Sequence, residues 1–193
     1  MKTWLLGMLL AAPAMAQEAP RVLPDRDVTI VYRLSGAAES IIPGGAVATV
    51  RVAWDAKSQR LRAEPAGQPQ ALLVDLPAHS VKLVDAGLHT AMTLPVRDRD
   101  LEPLTLEGAH LTRRGTATVA GLSCTEYAVQ SHRGHGTVCL TPEGVALRAA
   151  GEVDGRQGSL TADSVSFDPV PEAQFRVPPG YMQLALPRMD RNR

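Results

Sequence analysis

Gly121-Leu-Ser-Cys124-Thr-Glu-Tyr-Ala-Val-Gln130, then Ser-His132-Arg-Gly-His135, then Gly136-Thr-Val-Cys139-Leu-Thr-Pro-Glu-Gly144-Val145 follow one another without a break. The first and third pieces have the β-branched, alternating character of strands, and the middle one is turn chemistry. The stretch also holds the chain's two cysteines, Cys124 and Cys139. Joined, they close a 16-residue loop, for which the chain-entropy model gives about 3 kcal/mol of stabilisation. A hairpin closed tightly at Ser131-His132 sets 124 opposite 139, whereas the glycine-rich turn centres nearer Gly134. Either a bulge absorbs that offset or the two strands are not simple neighbours.

The strand pattern extends outward from this hairpin. Val28, Ile30, Tyr32 and Leu34 alternate with other residues, as do Val50, Val52 and Trp54, then Leu61 and Ala63. Ala71–Asp75, Ser80–Asp85 and Leu88–Leu94 are short apolar runs separated by brief gaps, the spacing of an antiparallel meander. Asp98–Gly108 is the one place where a short helix fits; Pro103 limits it to a turn or two and Gly108 stops it. Thr116–Ala120, the cysteine hairpin, Val145–Val153 and Ser159–Phe167 bring the count to about ten short strands. The expected fold is mainly β: a single curved antiparallel sheet over 27–186 forming a half-barrel with one or two short helices. A β-sandwich is the alternative, because periodicity does not say what covers the apolar face.

Met1-Lys-Thr, the apolar run Trp4–Ala12 and the small-residue end Ala14-Met-Ala16 describe a secretory signal peptide over 1–16, cleaved after Ala16. The run is shorter than the ~20 apolar residues that span a bilayer. Residues 17–26 then form an extended lead-in, and 187–193 a disordered tail. Export makes the cysteine pair legible as a disulfide, since an oxidising compartment favours it and Cys-x-x-Cys redox spacing is lacking. Lys2 leaves with the signal, so 19 Lys and Arg face 20 Asp and Glu, a net charge of −1. That is no field for nucleic acid. The exported chain's six aromatic residues, among them Tyr32, Trp54 and Tyr181, supply few stacking platforms for bases or sugars.

Further motifs carry a family resemblance. Arg60-Leu-Arg62-Ala-Glu64 precedes Leu72-Leu-Val-Asp75 and Val81-Lys-Leu-Val-Asp85. Cys139-Leu-Thr-Pro-Glu-Gly144-Val145-Ala-Leu147-Arg148 follows the first cysteine strand, and Phe167-Asp-Pro-Val-Pro-Glu-Ala-Gln-Phe175-Arg-Val-Pro-Pro-Gly180-Tyr181 lies near the end of the chain. In this order, over 28–181, they resemble an uncharacterised periplasmic family related to the outer-membrane lipoprotein carrier (LolA-like) superfamily. The resemblance implies an open half-barrel whose concave apolar face is lidded by short helical segments. It implies a periplasmic, non-enzymatic protein, peripheral to the membrane at most and monomeric, without a cofactor. Its partner would be a lipid, an acyl chain or an apolar protein segment such as that of a lipoprotein. Carriers begin with a helix, whereas 22–34 here reads as extended chain and strand. Arg60 and Arg62 fall near the strand where carriers keep a lid-closing arginine, and neither is assigned that role.

Other residues offer chemistry with a plainer reading beside it. His132 and His135 in a glycine-rich turn would need a third ligand, such as Glu126, to hold a metal, and such turns are usually solvated. Ser123 lacks the second glycine of a nucleophile elbow. Asp98, Asp100 and Glu102 read as helix-start charges, and Asp75 and Asp85 as turn initiators. Arg113-Arg114-Gly115 reads as a hairpin turn, with a phosphate or headgroup site as the alternative. No catalytic residues are expected. The functional expectation is a binding protein that uses its concave face, against a structural module of the envelope or a metal site at the histidine turn.

Overall fold

Alternating apolar and polar residues dictate strands, and turn residues at short intervals dictate antiparallel pairing. The computed structural model describes residues 19–40 and 46–185; the expected signal peptide and tail lie outside them. The elements are β1 (Val28–Gly36), β2 (Thr49–Asp55), β3 (Arg60–Pro65), β4 (Gln70–Asp75), β5 (Ser80–Asp85), β6 (Thr90–Leu94) and helix α1 (Asp98–Thr105). They continue with β7 (His110–Val119), β8 (Leu122–Ser131), β9 (Gly134–Leu140), β10 (Ala146–Val153), β11 (Arg156–Ser166) and β12 (Met182–Ala185). All twelve strands form one sheet in the order β12-β6-β5-β4-β3-β2-β1-β11-β10-β9-β8-β7. Two meanders are thus joined at a β1–β11 seam, and the sheet stays open, with β12 and β7 at its edges. This is the expected half-barrel and not a sandwich.

Three hairpins of the first meander use one device. Asp55, Asp75 and Asp85 each end a strand and accept backbone N–H bonds from the turn, at Lys57 (3.0 Å), Ala78 (3.0 Å) and Leu88 (2.9 Å). The residue that re-enters the next strand is left-handed each time, at Gln59, His79 and His89. The sequence shows this as Asp followed four residues later by Gln or His. Asp75 and Asp85 therefore serve turns, as their position after apolar runs suggested.

Two sequence expectations need correction. Arg113-Arg114-Gly115 is not a turn: it lies inside β7, at a register shift opposite Tyr127 and Glu126. The hairpin reading failed because polar residues on a solvent-facing edge strand look like loop residues. The cysteine strands are immediate neighbours with an unbroken ladder from Thr125↔Leu140 to Ser131↔Gly134, so neither bulge nor separation absorbs the offset. Instead the turn sits at His132-Arg133, and Cys139 faces Glu126, two residues from Cys124. The Cys124–Cys139 disulfide runs diagonally, with Cα atoms 5.4 Å apart. β12, which pairs in parallel with β6, was not anticipated.

Four glycines stand side by side across four strands: Gly136 on β9, Gly151 on β10, Gly158 on β11 and Gly36 on β1. A Cβ on Gly136 would lie 2.4 Å from the Ala150 carbonyl oxygen, and one on Gly151 would lie 2.4 Å from that of His135. Only glycine allows the backbones to approach that closely, and such a row bends a sheet sharply.

The convex side is covered by the chain's own C-terminal segment. Leu73, Val84 and Ala91 pack against Val177 and Tyr181. Phe175 is buried, and Arg62 donates to the Gln174 carbonyl at 3.2 Å. The stretch Phe167–Tyr181 that contributes to the family resemblance supplies this strap. Cys139 shares a cross-strand row with Glu126 and Arg148, which form an ion pair.

Candidate functional site: the concave hollow

Among the described residues no strap covers the concave side. It surrounds a half-open hollow of about 760 Å³ whose walls come from both meanders. Val52, Leu61 and Leu160 line it and remain half-exposed, although each occupies the inward position of its strand. Apolar side chains that stay partly exposed on an enclosed face mark unfilled space, because a packed core of this composition would bury them. Tyr32 also lines the hollow but is fully occupied. Its hydroxyl donates to the Ala146 carbonyl at 2.7 Å, and burial pushes its pKa well above the ordinary tyrosine value.

One end of the hollow is plugged by the lead-in. Val22, Leu23 and Pro24 line it; Trp54 Nε1, at the end of β2, donates to the Pro24 carbonyl at 2.9 Å. On the other arm, the Asp25 amide donates to the Glu143 carbonyl in the β9–β10 turn at 3.0 Å. The lead-in therefore bridges the two arms as a floor.

Helix α1 crosses the open side. It buries Leu101 and is tied at both ends. His79 Nδ1, in the β4–β5 turn, is 2.6 Å from Asp98 Oδ1, and His132 Nε2, in the β8–β9 turn, is 3.6 Å from Glu102 Oε2. The third tie follows from Pro103. Proline has no N–H to give the carbonyl four residues back, which is that of Arg99. The Arg133 guanidinium donates to that orphaned carbonyl instead, while also forking onto Asp154. The helix ends at Leu106 in a left-handed conformation, two residues before the expected glycine stop.

The fold scatters most of the residues that the sequence offered as candidates. His135 is opposite Gln130 and Glu152 at the rim of the hollow, whereas His132 faces α1. Among the described residues no group of three or more His, Cys, Asp or Glu could hold a metal ion, so the histidine turn does not assemble into a site. Arg60 bonds Asp75 at 2.8 Å and Arg62 bonds Glu64 at 2.6 Å; neither lines the hollow, which takes Arg133 and Arg156 instead. Sequence reading missed Arg133 as the helix tie. The signal was Pro103, since a proline inside a short helix leaves a carbonyl that another donor must satisfy.

No family model matches the chain, and no curated protein matches it. Among solved structures, an uncharacterised conserved protein from Thermus thermophilus is similar with a TM-score of 0.53 at 11% identity, covering 84% of this chain and 91% of that one. The Mycobacterium tuberculosis lipoprotein LppX gives 0.47 at 15% identity, over 75% of this chain and 88% of its own. MucB gives 0.46 at 14% identity, over 84% of this chain and 60% of its own. At 11% identity the first likeness is one of fold alone. That fold is an open, bent antiparallel half-barrel with a hollow apolar side and a short helix across it.

Proposed function

We propose that this protein is a non-enzymatic, exported binding protein that holds an acyl chain or lipid in its concave hollow. The observation that carries the reading is the size and lining of that hollow. The hollow is open on one side, and its largely apolar lining is left facing solvent, surface that a hydrocarbon chain would cover. Each methylene of a buried acyl chain contributes about 0.8 kcal/mol, so a chain that reaches the floor gains with every carbon it buries. The volume lies in the range of about 300–1,000 Å³ typical of small-molecule sites. A wholly self-packed envelope module is disfavoured by the same volume.

Export supports the reading: the disulfide suits an oxidising compartment, and the sequence begins with a signal-peptide pattern. The test is native mass spectrometry and solvent extraction of protein purified from the periplasm. Co-purifying lipid is expected, and Val52→Trp, which puts an indole into the hollow, should reduce it. Bare polypeptide in every preparation, together with failure to take up any dodecyl-chain amphiphile, would overturn the proposal.

A further inference from the structure

We infer that Leu23, with Val22 beside it, is a depth stop that sets how long a hydrocarbon chain the hollow takes; this rests on the acyl-binding reading above. Both side chains line the hollow and both are half-buried. They belong to the lead-in floor, at the end where β1 begins and β2 finishes, and Leu23 packs against the main core cluster. An apolar side chain on the floor of an apolar hollow is what the tip of an entering chain meets.

Whether that side chain stops the tip or gives way depends on the backbone behind it, and this backbone is pinned along its length. Trp54 Nε1 donates to the Pro24 carbonyl at 2.9 Å, and the Asp25 amide donates to the Glu143 carbonyl at 3.0 Å. The Asp27 carboxylate accepts from the amides of Ala56, at 3.1 Å, and Val170, at 3.2 Å. The Leu23 carbonyl is itself seated against Gly144, where φ is 91° and a Cβ would come within 2.3 Å of its oxygen. Only glycine permits that approach. None of these contacts uses the Val22 or Leu23 side chain, so the pinning is independent of the lining. An entering tail therefore gains with each methylene until its tip reaches Leu23. Carbons beyond that length stay in water at the mouth and add nothing.

The test uses the purified protein and lysophosphatidylcholines with saturated chains from octanoyl to octadecanoyl, each below its micellar concentration, read by displacement of anilinonaphthalene sulfonate. Wild-type affinity is expected to climb about fourfold per methylene and then to level off within the series. Leu23→Ala replaces the isobutyl group of the stop with a methyl, so the levelling-off should move to chains about two carbons longer. Leu23→Phe, which fills more of the floor, should move it to shorter chains. Chains too short to reach the floor should bind all three proteins alike, which a merely structural role for Leu23 would not produce. Trp54, the one tryptophan of residues 17–193, sits beside the floor and reports arrival. A bromine at the chain terminus should quench its fluorescence increasingly up to the levelling-off length and then no further. Should a variant not fold by circular dichroism, the bromine series on the wild type decides alone. A common levelling-off length in all three proteins, affinity that climbs without a break to octadecanoyl, or quenching independent of chain length overturns the inference and leaves the hollow reading intact. Failure of every chain to bind overturns the hollow reading itself.

Discussion

Replacing Gly136 with alanine tests what bends the sheet. A Cβ at 136 would sit 2.4 Å from the Ala150 oxygen and 2.9 Å from the Gly151 Cα, where ordinary contact begins near 3.4 Å. Both neighbours are backbone, so β9 and β10 must part by roughly an ångström to admit the methyl. Overpacking of this kind costs about 1–3 kcal/mol, and backbone obstacles place it at the upper end. The stiffer unfolded chain returns about 0.4–1 kcal/mol. A net loss of about 2 kcal/mol should lower Tm by roughly 4–8 °C for a domain of this size. Gly151→Ala faces the mirror obstacle, 2.4 Å from the His135 oxygen and 2.7 Å from the Gly136 Cα. Once the strands have parted for one methyl, the second has room, so the double variant should cost about 1 kcal/mol less than the sum. Gly115→Ala on β7 meets nothing within 4 Å and is the matched control, expected within about 0.5 kcal/mol of wild type. Urea denaturation with slopes compared across the set is the assay. A Gly136→Ala protein as stable as the control, or a strictly additive pair, would refute the claim that close approach along this row makes the curve.

Three further outcomes follow from individual contacts. Reducing the Cys124–Cys139 bond, which joins residues 15 apart, should cost about 3 kcal/mol with no change in oligomeric state; thiol titration of native exported protein should find no free cysteine. Tyr32→Phe leaves the half-buried Ala146 carbonyl without its 2.7 Å donor and should cost about 1–2 kcal/mol. Because burial raises the phenol's folded pKa, its contribution is intact below the unfolded value of about 10 and is lost as pH climbs beyond it; ultraviolet titration should show this tyrosine ionising only with unfolding. Asp55, whose pKa is held down chiefly by the Ser58 hydroxyl at 2.6 Å, contributes stability above the unfolded value of about 3.9 that disappears as pH falls through its folded value. Asp55→Ala should therefore destabilise by about 1–2 kcal/mol at neutral pH and by much less near pH 2, read from denaturation midpoints at both.

How much of this was written in the sequence depends on the range of the interaction. Period-two alternation in β1 to β3 is local, and so are the short apolar runs and brief gaps that located β4 to β6. The turn-initiating aspartates were equally local. β7 was half missed because an edge strand facing solvent need not alternate, and its Arg113-Arg114-Gly115 centre carries no apolar signal. β12 has four residues and exists because β6 offers a free edge; nothing in Met182–Ala185 alone requires it. The disulfide pairing was legible but its diagonal geometry was not, since the turn moved by one residue relative to the tight alternative. At the hollow, the apolar wall could be read and the tie across it could not: Arg99, Arg133 and Asp154 come from three distant parts of the chain, and only the crossing of α1 brings them together.

The hollow itself follows from how the chain allots its cover. The convex face receives a strap of extended chain and a 3-10 turn, with Phe175, Val177 and Tyr181 packed down onto it. The concave face receives one helix of eight residues, about 12 Å long at 1.5 Å per residue, which buries a single leucine. A longer helix would fill more of the space, and Pro103 is one reason there is none: it removes an internal hydrogen bond and leaves the Arg99 carbonyl to Arg133. The same residue that keeps the lid short thus supplies the acceptor that fastens it to the β8–β9 tip. Curvature from the glycine row and a fastened but undersized lid shape one end, while the lead-in closes the other. Loosening the lid by Arg133→Gln, which leaves both Asp154 and the Arg99 carbonyl unmatched, should therefore speed release of a bound amphiphile without shrinking the hollow. A faster off-rate with unchanged stoichiometry in stopped-flow displacement is the signature of that division of labour; an unchanged off-rate would mean that α1 takes no part in retention.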